Sequence, residues 1–194
     1  VSWGARKKDF MPDAAALKAS AARQGYETDR VLYRANKEDS PMFNFPRGGD
    51  AGPYLVSDPH IAGKYIDMAD EAPNMTPGYV KGPGLKLTRA GKQGSPFGPE
   101  FRQEAAQKLD ISLENMSRSD QVDAIMDAAR EQGYGYVEME GIMDVGGQQA
   151  QVIPLGGDKV RSVWAQFDPG LADDAASLSH ASGGLVTLPQ QFDA

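Results

Sequence analysis

Apolar and polar positions change period several times along the chain, and each change marks an element. Residues 12–26 are alanine-rich and predict a helix, with Pro12 suited to a first turn and Gly25 to its end. Residues 30–35 carry the apolar run Val31, Leu32 and Tyr33 and predict a strand that stops at Arg34 and Ala35. A loop is expected over 40–53, where Phe43 and Phe45 lie among prolines and glycines. Residues 54–71 predict a strand breaking into a helix: Ser57 or Asp58 caps it, Pro59 opens it, and Ile61, Tyr65 and Met68 recur at helical spacing. Between 72 and 99 glycine and proline dominate, with strand candidates at 78–82 and 85–88. Two helices follow, over 99–109 and 117–134. The second carries Val122, Ile125, Met126 and Ala129 on one face, Ser117 or Ser119 as its cap and Gly133 as its end. Residues 134–139, 150–155 and 160–167 are three short strand candidates divided by glycine turns. Helix, strands, helices and then strands fit an α+β domain better than a regular βαβ alternation.

Composition narrows the picture by exclusion. The 194 residues suffice for one core, and the expected organisation is a basic arm over 1–11, a domain over 12–175 and a small polar tail over 176–194. A net charge of −7 argues against a nucleic-acid surface, which carries a basic stripe. No apolar run reaches the length of a bilayer span, so no membrane partner is expected. Cysteine is absent, which removes disulfides, thiolate catalysis and cysteine-bound zinc. With His60 and His180 as the only histidines, no multi-histidine metal site is expected. No signal peptide is visible, and Val1 at the start points to a piece of a longer polypeptide.

A few residues have chemistry to offer. Arg34 ends a strand, either as the partner of Asp29, Glu38 or Asp39, or as a planar clamp for phosphate or carboxylate. Glu138 and Glu140 stand two apart, as do Gln149 and Gln151, so each pair shares a strand face. The plain reading of either pair is a solvated face. His60 reads as a surface or capping residue, Arg161 and Ser162 as residues that fix a turn into the last strand, and Trp164 and Phe167 as core. The Gly-Gly pairs match no phosphate-binding fingerprint.

The segments VLYRA, GPYLVSDPHIAGKYI, GYGYVEM and QVIPLGGDKVRSVWAQFDP, in that order and spacing, resemble the ADP-ribosyltransferase-like domain of phage and mobile-element polyvalent proteins. In that family a Tyr-Arg or Tyr-His pair ends the first strand. A Ser/Thr-Asp-x-x-x-Ala-x-x-Tyr stretch opens a helix, and a Glu or Gln begins a late strand before an Ile-Arg-Ser motif. The likeness covers roughly residues 20 to 175 and implies a split β-sandwich with flanking helices around an NAD cleft.

Carried across by position, the resemblance puts Tyr33 and Arg34 at the adenosine or phosphate side of NAD. It makes Ser57 the support of the nicotinamide-binding strand and sets Tyr65 against the nicotinamide ring. Counting back from Val160-Arg161-Ser162, the catalytic acid position falls on Gln151, at a strand end expected to face the cleft and stay wet. Gln149 then echoes the first member of a Glu-x-Glu pair. The strand bearing Glu138 and Glu140 matches scaffold, not site. The implied function is mono-ADP-ribosyl transfer from NAD to a host protein by a soluble, toxin-like effector, packaged in a virion and delivered into the host cytoplasm. The alternative is a degenerate interaction module, favoured by Gln151 and by Ala35 in place of the usual glycine.

Overall fold

The computed structural model describes residues 14–36, 52–66, 74–88, 96–144 and 147–163. The basic arm, the loop with Phe43 and Phe45, and Glu38, Asp39, Met68, Trp164, Phe167, His180 and the tail lie outside the described residues. Within them the chain is a mixed α+β fold. Helix α1 (Ala14–Arg23) leads to strand β1 (Leu32–Asn36), β2 (Leu55–Val56), α2 (Pro59–Ile66), β3 (Asn74–Val80) and β4 (Gly84–Leu87). Helices α3 (Pro99–Leu109) and α4 (Arg118–Glu131) follow, then β5 (Tyr136–Asp144), β6 (Gly147–Pro154), a 3-10 turn (Gly157–Lys159) and β7 (Val160–Ser162). No helix among the described residues is long and apolar enough to cross a membrane.

The local signals behave as chemistry requires. Gly25 and Gly133 both take φ of +82° just past α1 and α4, where a side chain would be strained. Ser117, not Ser119, caps α4: its hydroxyl oxygen accepts from the Asp120 amide at 3.2 Å. Asp58, not Ser57, caps α2, its carboxylate accepting from the His60 amide at 2.8 Å.

The seven strands pair in the order β4-β5-β6-β2-β1-β3-β7, all neighbours antiparallel except β4 with β5. Helices α3 and α4 cover the β4–β5–β6 end of one face. There Phe101, Leu109, Ile125 and Met126 pack with Val137, Met139 and Ile153 in the largest core cluster. Burial of each such side chain contributes roughly 1.5–3 kcal/mol. The opposite face closes on itself. Leu32, Val80 and Val160, from β1, β3 and β7, cluster with Leu55, Val152 and Tyr136, from β2, β6 and β5. Strands far apart in the pairing order therefore meet, and the sheet is curled around this second core.

Gly135 permits the curl. A Cβ there would lie 1.8 Å from the Lys81 carbonyl oxygen, and the Gly135 amide donates to the Pro83 carbonyl at 2.8 Å. The three residues between β3 and β4 thus turn the chain from one end of the sheet to the other, as strands that switch layers do at corners.

The last strands differ from expectation in length. Instead of two short pieces, β5 and β6 form one long hairpin whose register slips between Met139 and Ile142. Gly141, with φ of +75°, sits in this bulge, and the interruption hid the continuation of the strand from its alternating pattern. Arg161 and Ser162 lie within β7 itself and do not lead a turn into a later described strand. Arg161 is 1% exposed, opposite Tyr79, which makes it a core residue.

Candidate functional site

Three neighbouring strands set the site. Tyr33 of β1 stands opposite Val56 of β2, and Val56 opposite Gln151 of β6, so the three share one row and one face. Ser57 follows Val56 at the exposed end of β2. Helix α2 packs against β1, β2 and β3. Ala62 is its buried anchor, and Tyr65, three residues on, falls on the same side. The Tyr65 hydroxyl accepts a hydrogen bond from Gln149 Nε2 at 3.1 Å and a longer one from Gln151 Nε2 at 3.4 Å.

The short β2 strand explains why residues so distant in sequence converge. Its two residues bridge β1 and β6, and Asp58 starts α2 at once, so the helix must fold back over the strands just left. Tyr65 and Gln151 meet across 86 positions of chain.

Of the expected site residues, Tyr33 and Gln151 share a row and Tyr65 bonds Gln151, while Ser57 lies exposed just past the end of β2. Arg34 is not on their face. Strand alternation turns it away from Tyr33 and onto the curled side, two residues beyond the buried Leu32, in register with Thr76. Burial pushes the Arg34 guanidinium below its ordinary value. The expectation of a wet strand end at Gln151 is corrected: it is 2% exposed, beneath the Tyr65 hydroxyl. Only two residues of β2 separate it from β1, and the helix that follows closes over it.

The carboxylate pair on β5 is divided. Glu138 is buried and takes both Arg30 Nη1 and Nη2, at 2.6 and 3.3 Å. Glu140 is exposed at the bulge. Arg30 also stands 3.6 Å from Glu27 and 5.5 Å above the Tyr136 ring, while the Tyr136 hydroxyl donates to Glu27 at 2.8 Å. Burial by itself lowers the Arg30 pKa, but the hydrogen bond and charge of Glu138 outweigh it and hold the value above its ordinary one. Sequence reasoning assigned no role to Arg30. Its three-residue spacing from Glu27 was the one available signal, and nothing local pointed to Glu138, 108 positions away.

Chemically, the Tyr33–Gln151 row offers amides and phenols and no carboxylate among its described residues. It can hold an uncharged polar group by hydrogen bonds. Among the described residues no group of acidic, histidine or cysteine side chains could hold a metal ion. Comparison with family models, curated proteins and solved structures finds no match.

Proposed function

We propose that this chain is an ADP-ribosyltransferase-like domain that engages NAD along the row from Tyr33 to Gln151 and transfers ADP-ribose to a macromolecular target, a host protein. The observation that carries the reading is the meeting of Tyr33, Tyr65 and Gln151, three residues dispersed in sequence, on one side of β1, β2 and β6. The curled sheet, with its second core between the two ends, supports the split-sandwich part of the reading. Arg34 would serve NAD from the curled face, at the other side of β1.

The residues present fit the ligand only in part. Gln151 can hydrogen-bond a ribose hydroxyl, and the phenol rings of Tyr33 and Tyr65 can cover an aromatic base. As the nicotinamide–ribose bond breaks, positive charge develops on the sugar, and a glutamine brings no opposing charge. A neutral hydrogen bond is about half as strong as a charge-assisted one, and one lost preorganised contact raises a barrier by roughly 3 kcal/mol. Turnover is therefore slow.

A second reading has its own observation. Gln151 is nearly inaccessible and lies on the face opposite Arg34, which favours a module that binds without turnover. One experiment separates the two: calorimetry with NAD alongside nicotinamide release, on wild type, Gln151→Ala and Gln151→Glu. The transferase reading expects slow release in wild type, less in Gln151→Ala and more in Gln151→Glu, with a loss of stability because the new carboxylate is buried. NAD binding with release only in Gln151→Glu supports the binding module. No NAD binding by any of the three rejects both.

A further inference from the structure

Gln149, two residues before Gln151, keeps one of its two amide atoms without a partner. Its Nε2 donates to the Tyr65 hydroxyl at 3.1 Å, but its Oε1 is buried without a hydrogen-bond partner. The residue is 8% exposed and so more than nine-tenths buried. A buried acceptor without a partner forfeits its bond to water and gains nothing in return, and native proteins rarely keep one without a use. Exchanging the amide atoms does not remove the deficit. The oxygen would then face Tyr65, and an NH2 group with two donors would take the partnerless place.

We infer that Gln149 is a ligand-binding residue, whose Oε1 accepts a hydrogen bond from an uncharged hydroxyl or amide N–H group of a bound small molecule, with Tyr65 as the residue that holds the amide in position. The charge around it selects the class. A cationic ligand group would be buried against neutral amides, which is costly without a counter-ion. Of the carboxylates on β5, Glu138 lies in an alternate row and is held by Arg30, and Glu140 is exposed at the bulge. An anion would find the neighbouring amide donors already engaged by Tyr65. A sugar diol and a primary carboxamide both supply the required neutral donor. Tyr65 is only half-buried and Ser57 at the end of β2 is exposed, so the edge of the trio reaches solvent.

The inference rests on the NAD reading only for its choice of probes. The 15N-labelled protein is titrated separately with NAD, nicotinamide and adenosine, which carry both groups, the carboxamide alone and the diol alone. The side-chain amide resonances of Gln149 are expected to shift with NAD and with one of the two parts. Calorimetry should show that ligand bound about fivefold to tenfold more weakly by Gln149→Met, which removes the acceptor at similar size. Gln149→Glu, which keeps an acceptor, should retain the affinity, and it decides together with the wild-type shifts if Gln149→Met does not fold. NAD binding with unmoved Gln149 resonances and equal affinity in the variants overturns this inference and leaves the NAD reading standing. Nicotinamide or adenosine bound through Gln149 by a protein that ignores NAD does the reverse. Binding of none of the three overturns both.

Discussion

Glu138 and Gln151 sit on paired strands one row apart, on opposite faces of the same hairpin, and each is almost fully buried. The two faces meet the demand of a buried polar group in different ways. On the curled face the Glu138 carboxylate is held by two hydrogen bonds from Arg30, which itself stands beside Glu27 and the Tyr136 ring. On the helix-covered face Gln149 and Gln151 are neutral, share one tyrosine hydroxyl, and leave an amide oxygen unmet. A charge must be matched when buried, so the first face is committed to structure. Neutral amides tolerate incomplete pairing at lower cost, so the second face can remain available to a ligand.

The strongest way to break this contrast is to remove the counter-ion. Arg30→Leu leaves Glu138 buried and unpaired, and the expected loss is about 3 kcal/mol, at the low end for a buried pair because Arg30 is one-third exposed. The double variant Arg30→Leu/Glu138→Leu should recover most of it. Chemical denaturation reads both. A double variant no more stable than Arg30→Leu would show that the pair is not what the curled face depends on.

The same network makes an alkaline prediction. Tyr136 is pushed up to about 12 by burial and then by the hydrogen bond and charge of Glu27. A raised folded value means that stability is fully present below the unfolded value near pH 10 and is lost as pH rises from there toward 12. The expected loss over that window is about 2–3 kcal/mol from this group. Tyr26, pushed to a similar value by burial, adds to the same window. Tyr136→Phe should shrink the alkaline loss by about half, measured as denaturation midpoints against pH, and an unchanged slope would contradict the assignment.

On the neutral face the expected effect is smaller. Tyr65→Phe removes the acceptor shared by two buried amides while keeping the ring, and should cost about 1–2 kcal/mol by thermal unfolding. If stability and NAD binding are both unchanged, the ring and not the hydroxyl is the working part of Tyr65, as the resemblance implied. If stability falls, Tyr65 is the clamp of the glutamine pair.

Much of the local architecture was legible in the chain. The capped helix over 118–131, the Pro59 helix start and the strand ending near Arg34 follow from periodicity, caps and glycine stops, which act over a few residues and so leave a local trace. Two local rules led astray. The bulge at Gly141 cut one long strand into an apparent short one, and the expected wet end at Gln151 ignored the helix that folds over it.

What the sequence determined by itself is the class of the elements, their order, and the residue types able to form a neutral or a charged site. Which of those residues meet was decided by tertiary structure. The two-residue strand β2, pairing with both β1 and β6, aligns Tyr33 with Gln151 and separates both from Arg34. The close approach of Gly135 to Lys81 curls the sheet and brings Arg30 to Glu138. Both depend on strand register and on contacts between segments distant in the chain, and register turns on single-residue shifts that no local pattern encodes.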